Sequence, residues 1–437
     1  MPDFSPNMNR RHFVKRSALA TGGLMAASLP LAGAYAGGHD TIRLALIGCG
    51  GRGTKAAVQA MATGRDVQLV AMADAYRDRL DESYRNLLLQ EDTKDQIAVL
   101  EDHKFVGFDA YRDAIALADV VILATPPGFR PLHLEAAVAA GKHVFMEKPV
   151  AVDPVGIRRV LAAIRAARAK ELSIVVGLQR RYSVMYAQET LPRIREGIIG
   201  DIVAAYAYWN IGFIRPPERK PGQSEMDYQM RAWYQFPWLS GDHIEDTHIH
   251  NLDIVNWVLD AYPAKARGMG GRSAPYEGHY GLLYDHHFVE YEYPNGVLLS
   301  SQCRQTNGCW FRLGESFVGT KGRLNVDLKR LMVTDHQGNK LAGYRDREDR
   351  DPQQLEHDIL FDAIRKGQPN NAAEFGAYST LTAIMGRMAS YSGQEITWDQ
   401  ALNSDLDLSP TRYAWDADPP VLPGPDGRYP LPIPGMG

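Results

Sequence analysis

The junction Gly48-Cys49-Gly50-Gly51-Arg52-Gly53 restricts what this chain can fold into more than any other stretch. It follows the apolar run Ile42 to Ile47 and leads into Thr54 to Met61, where apolar residues recur at helical spacing. Glycines at the first, third and sixth positions let a strand turn tightly and let the following helix pack close to it. The same alternation continues downstream. Val67 to Ala73 reads as a strand ending at Asp74, and Val120 to Ala124 as a short buried strand ending at Thr125-Pro126-Pro127. Helix signals from Leu132 to Ala140 stop at Gly141, and His143 to Met146 is a further strand running into Glu147-Lys148-Pro149. The helix Pro154 to Lys170 and the strand Ser173 to Gly177 complete the series. Strands alternating with helices predict a doubly wound α/β domain, its parallel sheet joined by right-handed crossovers, over residues 37–178.

After Arg180 the texture changes. Ile202 to Trp209, Phe288 to Tyr293, Val297 to Gln302 and Arg323 to Val326 are strand-like, and Pro294-Asn295-Gly296 is a hairpin turn between two of them. A second α/β domain with an open, largely antiparallel sheet is expected over residues 179–404. Within it, Gly212 to Gly241 reads as a long functional insertion rich in Pro and aromatics. Residues 405–437 read as a Pro-rich tail wrapping the surface or a neighbouring subunit. A chain of 437 residues, 45% hydrophobic, can fill two such cores. A net charge of -4 without long Lys/Arg blocks excludes a phosphate-binding surface of the nucleic-acid kind and points to a small-molecule partner. Three cysteines, Cys49, Cys303 and Cys309, are too few for a disulfide framework or a four-cysteine zinc site.

The N-terminal segment reads as an address. Arg10-Arg11-His12-Phe13-Val14-Lys15 is a twin-arginine pattern, followed by an apolar stretch to Ala34 and an A-x-A end at Ala34-Tyr35-Ala36. Residues 1–36 are therefore expected to be a cleaved signal peptide, and the mature protein periplasmic or secreted, with no membrane attachment.

The glycine spacing, in its place between strand and helix, is the fingerprint of a dinucleotide site. The helix N-terminus offers unpaired amides and a positive dipole to a pyrophosphate, so Gly48, Cys49, Gly50, Gly51, Arg52 and Gly53 are its expected cradle. Asp74, ending the next strand, stands where a carboxylate accepts hydrogen bonds from adenosine ribose hydroxyls and repels the extra phosphate of NADP. NAD is the expected cofactor. Asp74 could instead cap the following helix, but its distance from the glycines favours the ribose. Thr125 and Pro126 end a strand on the same carboxyl edge and should line the nicotinamide end.

Ala124-Thr125-Pro126 followed by His133, then Ala139-Ala140-Gly141-Lys142-His143-Val144 running into Glu147-Lys148-Pro149, resembles the central signature of the glucose-fructose oxidoreductase / inositol dehydrogenase (Gfo/Idh/MocA) family. The resemblance extends from Ile42 to near Trp398. It implies a Rossmann domain followed by an α/β domain covering the nicotinamide, homodimers or homotetramers, and His133 and Glu147 beside the cofactor. It also implies a catalytic group matching Lys148, Asp246 and His250. If Glu245 to Leu259 is one helix, Asp246, His250 and Asp253 share a face at i, i+4 and i+7. Oxidising an alcohol requires a group to take the hydroxyl proton as hydride leaves the carbon. His250 is the expected base, Asp246 its orienter, and Lys148 the donor to the reacting oxygen.

The surroundings are unusually rich in histidine: His243, His248 and His250 cluster with Glu245 and Asp246, and Asp285-His286-His287 follows later. The family's dehydrogenases usually carry glycine at the position of His248. One competing reading is a metal held by His248 and His250, disfavoured because residues two apart on a helix diverge; no metal is expected. Another is a redox-assisted glycosidase, similar to the superfamily's NAD-dependent glycosidases, whose Thr-His pair matches Thr247-His248. Such an enzyme, or one passing electrons between two sugars, would restore its cofactor each cycle, as an exported protein must. A protein that binds NAD without catalysis is opposed by the presence of Lys148, Asp246 and His250. For the substrate, a sugar or polyol, Arg231, Trp233 and Tyr234, with Phe236-Pro237-Trp238, are candidates for a stacking wall. Tyr182, Arg180 and His286 are candidates for hydroxyl contacts.

Overall fold

The computed structural model describes residues 41–273, 281–347 and 351–436. The expected signal segment lies outside them. Among the described residues there are two sheets. The first contains β1 (Ile42–Ile47), β2 (Val67–Asp74), β3 (Lys104–Val106), β4 (Val120–Leu123), β5 (His143–Met146) and β6 (Ile174–Val176). Their order is β3-β2-β1-β4-β5-β6, with every pair parallel. The winding direction reverses between β1 and β4, which opens a crevice at their carboxyl ends.

Both faces of this sheet are buried, which is why its strands read as continuous apolar runs. Leu44, Leu46, Val120, Ile122 and Phe145 face a core shared with Ala56, Ala60, Leu80 and Leu87. Ala45, Ile47, Val121, Leu123 and Met146 face the other side, against Ala114, Leu134, Ile157 and Val160. Leu360, Phe361 and Ile364 join the first of these cores from the helix Pro352–Arg365, far along the chain. That helix returns across the boundary drawn at residue 178, because the apolar face beside β5 and β6 needs a cover that the first 178 residues do not supply.

The second sheet contains β7 (Ile202–Ile211), β8 (Lys265–Gly271), β9 (His286–Glu292), β10 (Leu298–Gln305), β11 (Arg312–Gly319), β12 (Gly322–Val326), β13 (Arg330–Asp335), β14 (Lys340–Arg345) and β15 (Ile396–Thr397). It runs β14-β13-β12-β11-β7-β10-β9-β8-β15. Only β7 and β10 pair in parallel. Along β10, Leu299, Ser301, Cys303 and Gln305 are buried while the intervening residues are not, the period-two signature of a sheet with one covered face. The helices Ile249–Leu259 and Glu374–Ser392 pack against it.

Two expectations are corrected here, and the tail follows the first of its two alternatives. The helix expected over Glu245–Leu259 is two, His243–Asp246 and Ile249–Leu259, and Thr247 donates its hydroxyl hydrogen bond back to the His243 carbonyl at 2.7 Å within the break. The stretch Gly212 to Gly241 contains helices Glu225–Arg231 and Pro237–Ser240, and its Met226, Tyr228, Phe236, Trp238 and Leu239 form a third small core. Phe236 and Trp238 are thus core residues, not a wall open to a sugar. The tail covers its own chain: Leu408, Tyr413, Val421 and Tyr429 pack on that third core. Among the described residues, no helix is long and apolar enough to cross a membrane.

Candidate active site

A cleft of about 530 Å³ opens at the carboxyl ends of β1 and β4. Its floor is the glycine turn, and the four glycines divide the work. Gly48 has φ +96°, and a Cβ there would stand 2.5 Å from the Thr125 nitrogen; at Gly53 it would stand 2.0 Å from the Gly48 carbonyl oxygen. These two let backbone meet backbone. At Gly50 and Gly51 a Cβ would meet nothing within 4 Å, because both face the open cleft. This bare backbone at the start of the helix Gly51–Met61 fits a pyrophosphate.

Asp74 is held by two backbone donors, Cys49 N–H at 2.7 Å and Tyr76 N–H at 2.9 Å. Burial raises its carboxyl above the usual range, and these hydrogen bonds oppose the rise. It lines the cleft, as a ribose acceptor must. Cys49 is not among the lining residues: its thiol is buried and its contribution is the amide that fixes Asp74. Arg52 lines the cleft too, its Nε 2.5 Å from Glu147 Oε1 and its Nη1 2.8 Å from Gln59 Oε1. Thr125, Pro126, His133 and Glu147 also line it. Thr125 Oγ1 and His133 Nδ1 are 3.2 Å apart, and burial pushes the His133 imidazole down to about 3, so it is neutral.

Lys148, Asp246 and His250 line the same cleft. Lys148 Nζ donates to the Asp246 carbonyl and lies 3.6 Å from its Oδ1. Burial pushes the Asp246 carboxyl up, against the pull of Lys148. Burial, then the nearby charges of Lys148 and Arg180, hold the His250 imidazole well below its ordinary value. His250 is therefore in its proton-accepting form at neutral pH, its ring near-parallel to Trp209 at 6.0 Å. The expected role of Asp246 as orienter of His250 is corrected: among the described residues no hydrogen bond joins them, and His250 Nδ1 is buried without a partner. The helix break separates the two residues, and Asp246 serves Lys148 instead.

His248 leaves the site. Its Nε2 meets Ser301 Oγ on β10 at 2.7 Å, and the ring is buried beneath the second sheet. The break therefore sends His248 and His250 in different directions, and neither the Thr-His pairing nor a shared ligand role places His248 in the cleft. Asp253 also turns away, to Arg181 and Ser379.

The substrate candidates divide. Trp233 and Arg231 line the cleft. The Arg231 guanidinium, however, is committed to Asp78 at 2.7 and 2.9 Å and lies 3.7 Å over the Tyr76 ring, which ties the second half of the chain to the ribose-side wall. Tyr234 is part-buried and bonded to Gln305. Tyr182 packs beside the core of the first sheet. His286 is part-exposed on β9 and bonded to Asp285 at 2.6 Å. Arg180 is buried against Glu315 at 2.6 Å. None of these four lines the cleft, because their positions depend on strand register and helix packing that local sequence does not express.

Several lining residues were missed by sequence reasoning. Arg130, 1% exposed, donates to the carbonyls of Leu123 and Thr125 and so fixes the end of β4. Gln179 follows β6 on the carboxyl edge, a position that could have identified it. Tyr76 and Phe108 wall the ribose side and are backed by Trp415 of the tail, at 4.9 and 4.5 Å between ring centroids.

Comparison with known proteins agrees with this geometry. Inositol 2-dehydrogenase of Agrobacterium fabrum is 26% identical over 387 residues, 85% of this chain and 99% of that protein. The 2,7-anhydro-N-acetylneuraminate hydratase of Escherichia coli is 29% identical over 221 residues, but the match spans only 52% of its length. Among solved structures, scyllo-inositol dehydrogenase from Lactobacillus casei with NAD(H) and scyllo-inositol shares the fold at TM-score 0.60 and 18% identity, covering 82% of this chain and 100% of that one. Aldose-aldose oxidoreductase from Caulobacter crescentus does so at TM-score 0.62 and 16% identity, covering 82% and 99%. Residues 42–177 match the oxidoreductase family's NAD-binding Rossmann fold and residues 192–389 its C-terminal alpha/beta domain, so the chain belongs to the Gfo/Idh/MocA oxidoreductase family.

Proposed function

We propose that this protein oxidises a hydroxyl of a sugar or polyol with NAD, and that Lys148 and His250 act on the reacting oxygen. The observation carrying the reading is that Lys148, Asp246 and His250 converge on the cleft whose other walls are the glycine turn, Asp74 and Thr125-Pro126. NAD, when bound, supplies the hydride acceptor. Lys148 holds the substrate oxygen by a hydrogen bond from Nζ, with Asp246 fixing that ammonium from behind. His250 takes the hydroxyl proton at Nε2, since Nδ1 is buried. Trp233 offers an apolar face for sugar C–H groups.

In the test, Lys148→Ala and His250→Asn are assayed against a panel of inositols and aldoses beside the wild type. Turnover in the wild type, lost in both variants while NAD still binds, supports the assignment; unchanged turnover in both refutes it.

A second reading, a redox-assisted glycosidase, is supported by a glycosyl hydrolase family 109 protein of Shewanella baltica, 26% identical over 254 residues, 50% of its length. The turn of His248 toward Ser301 weighs against it. Cleavage of an aryl glycoside with no net NADH would favour it. We also propose export by the twin-arginine route, from residues 10–36, and a homodimer or homotetramer, supported by the half-open sheet face carrying Tyr206, Tyr208, Met269 and Leu298.

A further inference from the structure

Behind the cleft, three side chains that the proposed chemistry does not use meet in a closed space. Asp242 and His243 open the short helix that ends at Asp246, and His287 comes from β9. All three side chains have no solvent exposure. One ligand atom from each lies within 4.8 Å of the others.

The hydrogen-bond inventory of this space does not close with protein groups alone. Ser390 Oγ has one proton, for which the carbonyls of Gly386 and Arg387 lie at 3.0 and 3.1 Å. With that proton given to one of these carbonyls, Oγ accepts from His287 Nδ1, 2.8 Å away. In a neutral His287 this places the lone pair on Nε2, which lies 3.4 Å from Asp242 Oδ2 with no hydrogen-bond partner. In that tautomer a lone pair is aimed at a carboxylate, an arrangement that a cation between them satisfies. His243 has neither ring nitrogen hydrogen-bonded, although it is fully buried, and its Nε2 lies 3.9 Å from Asp242 Oδ1. Burying an imidazole with two unmet nitrogens is unfavourable unless something occupies them.

We propose that Asp242, His243 and His287 bind a divalent transition-metal ion of the zinc class. Two imidazoles and a carboxylate are a donor set that suits zinc, and metal–ligand bonds of about 2.0–2.1 Å in a tetrahedron place ligand atoms roughly 3.4 Å apart. His287 Nε2 lies 3.4 Å from Asp242 Oδ2 and His243 Nε2 3.9 Å from Asp242 Oδ1, and one atom from each residue lies within 4.8 Å of the others, so the three side chains draw together around the ion. The carboxylate is held for the purpose by Tyr391 Oη at 2.5 Å, by the Tyr284 amide at 3.2 Å and by the His243 amide. Ser390 orients His287 in the way that a ligating imidazole is usually oriented, through its other nitrogen. The ion joins the start of the helix His243–Asp246 to β9 and so steadies the residue that holds Lys148.

The full-length chain is chelated, dialysed, and reconstituted with Zn²⁺ or Co²⁺, and metal is counted by plasma mass spectrometry. The proposal expects about one ion per chain, visible absorption of tetrahedral strength for Co²⁺, and a melting temperature raised by Zn²⁺ over the chelated protein. His243→Asn and His287→Asn should each lose the ion while still binding NAD. Folded wild-type protein that takes up neither metal overturns the proposal, leaving a proton shared between His287 and Asp242. Undiminished metal uptake in both variants overturns it as well. If one variant does not fold, the other and the wild-type stoichiometry decide.

Discussion

Alanine placed in turn at Gly48, Gly50 and Gly53 should separate folding from cofactor binding within one loop. At Gly53 the new methyl carbon would sit 2.0 Å from the Gly48 carbonyl oxygen, far inside van der Waals contact and against backbone that is pinned by the β1–β2 and β1–β4 ladders. Overpacking of this kind costs about 1–3 kcal/mol, and more where backbone must move. At Gly48 a 2.5 Å contact adds to a φ of +96°, so the loss should be at least as large. At Gly50 the backbone is extended, φ -74° and ψ 177°, and a methyl meets no atom within 4 Å. Without nucleotide, Gly50→Ala should be neutral or gain up to about 1 kcal/mol from a less flexible unfolded chain. The same methyl stands where the pyrophosphate must approach, so NAD affinity should fall at least about tenfold, roughly 1.4 kcal/mol. Urea unfolding of stripped protein gives the first quantity and NAD titration calorimetry the second. If Gly50→Ala loses as much stability as Gly53→Ala, or binds NAD as the wild type does, this division of labour is wrong.

Three further outcomes are expected. Asp74→Asn keeps an acceptor for the Cys49 or Tyr76 amide but removes the charge, so the NAD-to-NADP affinity ratio should fall by about tenfold or more in direct titrations. His357, buried against Phe145 with both ring nitrogens unpartnered, has its imidazole pushed down to about 3 by burial. The unfolded chain binds this proton near pH 6.5 and the folded one does not, so at about pH 5.5 this group withdraws roughly 1.4 kcal/mol of stability that it does not withdraw at pH 8. The drop in urea midpoint between those two pH values should shrink correspondingly in His357→Leu; an unchanged drop would place the proton elsewhere. Arg231→Ala removes both Asp78 hydrogen bonds and the stack on Tyr76. It should weaken NAD binding several-fold with little change in kcat, and a loss confined to kcat would contradict the position assigned to Arg231.

What the sequence revealed was what short-range chemistry controls. The glycine turn, the β-strands ending at Asp74, Thr125 and Glu147, and the hairpin at Pro294-Asn295-Gly296 are local signals, and each appears where its pattern places it. Lys148 was legible through its motif and Asp74 through its distance from the glycines. The break at Thr247-His248 was not, since neither glycine nor proline marks it and the Thr247 hydroxyl that bonds back to His243 is ordinary in a helix. That break decides that Asp246 serves Lys148, and that His248 faces Ser301 while His250 reaches the cleft. The buried group Asp242, His243 and His287 depends on the register of β9 against the helix Glu374–Ser392, which no local pattern encodes. Phe236 and Trp238 read as a wall because their partners, Tyr413, Val421 and Tyr429, lie far along the chain.

The most direct test of the central claim is a single-turnover experiment. Stripped protein is loaded with one equivalent of NAD and mixed rapidly with each member of a sugar and polyol panel, while nicotinamide absorbance is followed. The account predicts that at least one compound reduces the bound cofactor in the wild type, transiently or to completion, and that the signal is lost in Lys148→Ala and His250→Asn, which still hold NAD. A bound cofactor that stays oxidised with every compound, or is reduced equally well by both variants, would contradict it.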